Sequence, residues 1–242
     1  MSALGHYLEE EGIATVVIAL IRPQAENTKP PRALWVPFEL GRPFGPPGDP
    51  TFQKRVVLTA LGMLVEGGGL VRIIDFPDDD PRSRPDPAWQ PPFVPASVVN
   101  GDADSLASRM EAEILLLDGA HRRWVQQYRR STVGLSGFAV GDCARYVADW
   151  LRGKEPPSPR DGFSAPLILR FAVDDLKAYC LEAAGAGTAT PSSHQLGDWF
   201  WSDTATGAAL YALRDLLLAH ADERLRLIVA NFMVPAARVR SG

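Results

Sequence analysis

The residues able to do chemistry fall into small groups. Arg32 and Arg42, with the glycines Gly41 and Gly45, stand in or beside a stretch from Pro30 to Gln53. A guanidinium fixed between rigid prolines offers a two-pronged donor suited to a carboxylate. Arg32, Gly41, Arg42 and Gly45 are therefore the expected substrate-binding set, although Glu39 and Arg42 are also spaced to pair with each other. His6 follows Gly5 near the start of the chain, and imidazole is the side-chain type suited to acid or base work near neutrality. The chain has two cysteines, Cys143 and Cys180, on apolar helical faces where a thiol ordinarily packs as a small hydrophobe. No catalytic residue is assigned; His6 and Cys143 are the candidates.

Asp175, Tyr179 and Glu182 share one face of a helix. Asp175 and Glu182 make an alternative metal set with His194, but the Glu-x-x-His pattern of helical metal sites is missing, and neither metal nor cofactor is expected. Asp75, Asp78, Asp79 and Asp80 lack the spaced ligands of a calcium loop and read as a solvated acidic segment. Ser131 to Gly137 reads as a glycine turn; with no strand before it, it is not a phosphate loop. Asp198-Trp199-Phe200-Trp201 reads as packing that locks two helices or fills an interface rather than stacking a base.

Positioning falls to elements with plain signatures. A short apolar strand, Ala33 to Val36, runs into a loop stiffened by five prolines and opened by three glycines before Gln53. Shaped loops at the carboxyl ends of strands are where open α/β sheets place ligands. Ser2 to Glu11 predicts a helix capped by Ser2 and closed by Gly12. Ile13 to Ile21 predicts a strand buried on both faces. Gln24 to Lys29 reads as a loop. Asp49 and Pro50 open a helix that buries Phe52, Val56, Ala60 and Leu64 and ends at Gly67 to Gly69. Asp75 to Pro95 is a proline-rich arm anchored by Trp89 and Phe93. Helices are expected over 105–129, with a break at Gly119, then 141–151, 166–184, 195–201, 206–218 and 222–232.

The whole predicts a mixed α/β protein: an α/β fragment, a short parallel sheet with flanking helices, over 1–74; an acidic linker or arm over 75–101; and a helical region over 102–242. A length of 242 residues suits one large or two small domains. A net charge of −4 and a pI near 5.6 argue against a general nucleic-acid binder. No run is long and apolar enough for a membrane span, and acids at Glu9 to Glu11 do not fit a signal peptide. The scarcity of cysteine predicts a reducing cytoplasm.

The first 80 residues resemble the C-terminal half of the selenoprotein-B component of glycine, betaine and sarcosine reductases, and the related small subunit of D-proline reductase. The matching residues are Gly5-His6-Tyr7-Leu8-Glu9, Gly12-Ile13-Ala14-Thr15-Val16, Pro30-Pro31-Arg32, Pro37, Gly41-Arg42-Pro43, Gly45-Pro46, Asp49 and Gln53. The resemblance implies chemistry on a carbon–nitrogen bond beside a carboxylate, with a selenocysteine or cysteine nucleophile placed just before the helix that here begins at Ser2. That motif is missing from this sequence. The expectation is a reductase-B-like subunit that binds a small carboxylate or amino-acid-like ligand and works with a partner chain that supplies the nucleophile, or in a homo-oligomer. The alternatives are a non-catalytic assembly subunit and a metal-dependent enzyme using the helical half.

Overall fold

The computed structural model describes residues 2–65, 71–93 and 101–239. The chain is mixed α/β and divides into two compact units, residues 1–84 and 85–242.

The first unit runs α1 (Ser2–Glu10), β1 (Val17–Ala19), α2 (Arg22–Thr28), β2 (Arg32–Trp35), α3 (Pro50–Val65) and β3 (Arg72–Asp75). Helix α1 ends as expected at Gly12, whose φ of 79° lets Gly12 and Ile13 donate back to the Glu9 and Leu8 carbonyls. The cap expected of Ser2 rests on a side chain outside the described residues. The strands form a parallel sheet in the order β1-β2-β3, with Ile18, Leu34 and Ile74 in register. These three pack with Phe52, Val56, Ala60 and Met63 of α3. Asp49 caps α3 by accepting from the Phe52 N–H at 2.9 Å. Met63 takes the buried place expected of Leu64, because successive steps of four overshoot a 3.6-residue turn and a step of three restores the face.

Four expectations change. Strand β1 is three half-buried residues rather than nine buried on both faces, and Ile13 is exposed. Among the described residues it pairs on one side only, and residues 13–16 serve as the path out of α1. Residues 24–29 lie largely in α2, which begins with Pro23 in its first turn and closes on Lys29 at φ 44°. Strand β3 was not anticipated; its Ile73 and Ile74 lie opposite Ala33 and Leu34. The acidic run is not merely solvated. Asp80 is buried and caps a short turn by accepting from the Arg82 N–H at 2.8 Å, Asp79 accepts from Ser83, and Asp78 pairs with Arg55. Gly67 to Gly69 lie outside the described residues, as does the end of the arm around Pro95.

Helix α3 is apolar on two sides. Opposite its sheet-facing row, Val57, Leu58, Leu61 and Val65 are exposed, Val65 at 86%. An amphipathic helix at a protein surface carries polar residues there.

The second unit contains α4 (Ala103–Leu116), α5 (Asp118–Tyr128), α6 (Val140–Leu151), α7 (Ala165–Ala184), α8 (Ser193–Asp203), α9 (Ala205–Leu218) and α10 (Glu223–Ile228), which runs into a wide π turn over Val229–Met233. The helix expected over 105–129 breaks at Leu117, two residues before Gly119. The core is formed by α4, α6, α7 and α9 around Met110, Val147, Leu169, Leu176, Cys180 and Leu210. Trp89 anchors the preceding arm by donating to the Ala184 carbonyl at 2.9 Å, and Phe93 meets Trp199 edge-on at 5.7 Å. Gln195 completes the capping box of α8 and also bonds the Asp86 backbone twice. Trp199 and Phe200 are buried and Trp201 meets Tyr211 of α9, so this aromatic run is packing.

Candidate functional site

The three strands of the first unit end together. Their carboxyl ends carry Arg22, the 37–49 loop and the acids from Asp75 onward. The loop is held by its own turns: Arg42 donates to the Glu39 carbonyl, Gly45 to that of Arg42, and Gln53 Nε2 to Pro46. Phe38, Phe52 and Phe76 pack beneath it with ring centroids 5.5–5.9 Å apart. Trp35 lies under the Arg22 guanidinium, which pairs with Asp75.

Gly45 has a packing reason as well as a place in the loop. Its φ is 84°, and a Cβ there would lie 2.5 Å from the Phe52 ring. Gly45→Ala should therefore destabilise the α/β unit by about 2–3 kcal/mol, combining left-handed strain with overpacking. Thermal unfolding followed by circular dichroism would check this. Gly41, at φ 89°, has open space around its Cα, so it serves backbone shape alone.

Arg42 is exposed and its ion pair with Glu39 is long, 3.6 Å between exposed side chains. Such a pair is worth about 0–1 kcal/mol and yields readily to a better ligand. Arg32 is placed otherwise. It opens β2, so about 13 Å of strand separates it from the loop. Its Nη1 donates to Glu9 Oε1 at 2.5 Å, the Thr15 N–H donates to the same oxygen at 2.6 Å, and Arg32 is 6% exposed. The Thr15 backbone bond, Thr15 hydroxyl and Arg32 hold the Glu9 carboxyl below its ordinary range against the opposing effect of burial. The substrate-binding set expected from sequence thus divides: Arg32 clasps an internal carboxylate at the amino end of the sheet, while Gly41, Arg42 and Gly45 share the carboxyl end. His6 is exposed, and its Nε2–H donates to the Lys29 carbonyl at 2.8 Å, tying α1 to the end of α2.

In the helical unit, the candidates on α7 are committed to one irregular segment. Asp175 is 1% exposed and accepts from the N–H groups of Gly134, Leu135 and Ser136 at 2.8–2.9 Å and from Ser136 Oγ at 2.5 Å. Two turns on, Glu182 accepts from Thr132 N (2.7 Å), Thr132 Oγ1 (2.8 Å), Ser131 Oγ (2.7 Å) and His121 Nε2 (2.9 Å). The two carboxylates hold residues 131–136 against α7 like a strap. His121 also stacks on Tyr179, with ring centroids 4.3 Å apart, and burial pushes the Tyr179 hydroxyl up to about 12. The histidine beside Glu182 is therefore His121, whereas His194 is exposed on α8. Among the described residues no three side chains of metal-ligating type come together, so Asp175, Glu182 and His194 do not form the alternative metal set. His121 has no place in the sequence reading, and Ser131 enters it only as the start of a glycine turn; a lone histidine on a helix whose partner lies 61 residues away leaves no local signal.

Burial raises the Glu182 carboxyl, but its donors outweigh burial and the net displacement is downward. A carboxyl depressed in the folded state contributes stability above its unfolded pKa and loses it as pH falls through the folded-state value. Protection of the Thr132 amide should therefore decline as the solution is acidified below pH 4.5, the ordinary glutamate value, and Glu182→Gln should remove that dependence. Hydrogen exchange as a function of pH is the measurement.

Neither cysteine has the surroundings of a nucleophile. Cys143 lies 3.2 Å from Ser136 Oγ, and burial pushes its thiol up to about 11. Cys180 is fully buried, and burial raises its thiol as well. A thiolate nucleophile needs the opposite displacement. His6 and Cys143 lie in different units and in unlike surroundings.

Glu113 of α4 is buried and caps α9: Ala205 N, Thr206 N and Thr206 Oγ1 donate to it at 2.6, 3.1 and 2.6 Å. Thr204 takes the next N–H, that of Gly207. That helix end, a place where anions commonly bind, is already filled by a carboxyl of the chain itself.

No family model matches the chain, and neither the curated proteins nor the solved structures contain a match.

Proposed function

We propose that the chain is a partner-dependent subunit whose 37–49 loop receives a small carboxylate or amino-acid-like ligand through Arg42. In this reading a second polypeptide supplies the redox nucleophile for cleavage of a carbon–nitrogen bond, in the manner of the reductase-B components that residues 1–80 resemble. The observation that carries it is the unfinished state of the α/β layers. Within the described residues β1 and β3 each pair on one side only, and α3 turns Val57, Leu58, Leu61 and Val65 outward. Such edges and faces are covered in working proteins. The loop that would meet a ligand sits at the carboxyl edge of that sheet, where parallel sheets bind small molecules.

The two arginines separate in the test. With glycine, betaine or acetate as calorimetric ligand, Arg42→Ala should weaken binding by about tenfold or more, the worth of a charge-assisted contact, and leave the unfolding midpoint unchanged. Arg32→Ala should leave binding unchanged and lower stability, by removing the buried guanidinium and its ion pair with Glu9. Equal loss of binding in both variants, or none in either, would refute Arg42 as the receptor.

A second reading, a purely architectural subunit, is favoured by the raised thiols and the fully engaged carboxylates of the helical unit. It is the better account if the chain co-purifies with a stoichiometric partner but binds none of these ligands.

A further inference from the structure

The strap over α7 leaves two observations unused. Arg129 and Arg130 are exposed immediately before it, and no ion pair engages either among the described residues. Arg129 has φ 54°, so the chain turns off α5 there and presents both guanidinium groups at the start of an irregular segment. Two and three residues later stands Thr132, an exposed residue whose hydroxyl is nonetheless spent on Glu182 Oε1 at 2.8 Å. An irregular, exposed hydroxyl residue preceded by two unpaired arginines is what the acidic groove of an arginine-directed protein kinase accepts.

We propose that Thr132 is a phosphorylation site and that its modification opens the strap. The terminal phosphoryl group of a nucleoside triphosphate passes to Thr132 Oγ1. The bond from that phosphorus to the bridging oxygen breaks as the new P–O bond forms, the hydroxyl proton goes to a base on the kinase, and the nucleoside diphosphate leaves. The closed strap cannot hold the product. A hydroxyl that donated a hydrogen bond to Glu182 becomes a group carrying nearly two negative charges against the same carboxylate. The Thr132 N–H bond to Glu182, 2.7 Å long, and the Ser131 bond, also 2.7 Å, share that carboxylate and loosen with it. In the open form the phosphate pairs with Arg129 and Arg130 by charge-assisted hydrogen bonds, so those arginines serve recognition first and the modified state second. The Asp175 half of the strap keeps its own four bonds, which confines the opening to residues 131–133. The inference rests on the helical unit alone and is independent of the ligand proposed for the 37–49 loop.

The test uses the full chain, magnesium ATP and an arginine-directed serine/threonine kinase, with a synthetic peptide of residues 126–137 as reference. Intact mass and peptide mapping should show one phosphate on Thr132, absent in Thr132→Val. The Thr132 amide should then exchange about tenfold faster or more, while the amides of Leu135 and Ser136 stay protected. Glu182→Gln, which weakens the clasp, should be phosphorylated faster than the parent. A peptide that is modified while the folded chain is not would overturn the proposal, as would failure of both or incorporation of phosphate without change in exchange. Equal phosphorylation rates in the parent and Glu182→Gln would show that the clasp does not govern access and would likewise overturn it.

Discussion

Replacing Asp175 with alanine should lower the stability of the helical unit by about 3–5 kcal/mol, the largest loss expected from any single carboxylate here. Three backbone N–H groups and one hydroxyl converge on that side chain, which is 1% exposed. Truncation strands all four donors at once where water has little entry, and each buried donor left without an acceptor costs about 1–3 kcal/mol before relaxation. Relaxation of the strap into solvent recovers part of this, which sets the range below the simple sum. Against the 5–15 kcal/mol typical of a domain, the effect should appear as a lowered urea midpoint. Asp175→Asn keeps an acceptor oxygen and should fall between the two. An unfolding free energy for Asp175→Ala within about 0.5 kcal/mol of the parent, the ordinary range of surface substitutions, would mean that the strap contributes nothing to the fold.

Glu113→Ala should cost about 2–4 kcal/mol by uncapping α9. The pH dependence of this site runs opposite to that of Glu182. Burial raises the Glu113 carboxyl and outweighs the bonds from Thr206 and Ala205 that lower it. A carboxyl raised in the folded state contributes stability that is fully present below its unfolded pKa and is lost as pH rises through the folded-state value. Glu113→Gln, neutral throughout, should therefore trail the parent most in acid, with the gap narrowing as pH rises above 4.5, the ordinary value. Chemical unfolding of the parent and both variants across that range decides the matter; a gap that widened with pH would contradict the assignment.

The architecture was legible where local rules suffice. Gly12 closes α1, Asp49 and Pro50 open α3, and the apolar rows of α6, α7 and α9 fall on the predicted helices, because caps and a 3.6-residue period are written within a few neighbours. What failed depends on distance along the chain. Ile13 to Ile21 has the composition of a central strand, yet only three of its residues find a partner. Strand β3 was overlooked because its pairing is with β2, some 40 residues earlier. The site divided in the same way. The loop glycines were recognisable, and Glu39 and Arg42 do pair. That Arg32 belongs to Glu9 follows only from the fold, which brings them together across 23 residues. Asp175 and Glu182 were noticed for their shared helix face, but their use as acceptors for residues 131–136 has no signature in spacing.

Synthesis from the N-terminus delivers the strap before its clasp exists. Ser131 and Ser136 leave the ribosome 51 and 39 residues ahead of the carboxylates that fix them. With no helix or strand of its own, the segment stays unanchored until α7 has been made and has packed on its neighbours. Its closure cannot precede α7, whose packing must meet the loop-entropy cost of that long separation. A nascent chain halted inside α7 would present Arg129 to Gly137 as an open tether, accessible to whatever in the cell reads such a sequence.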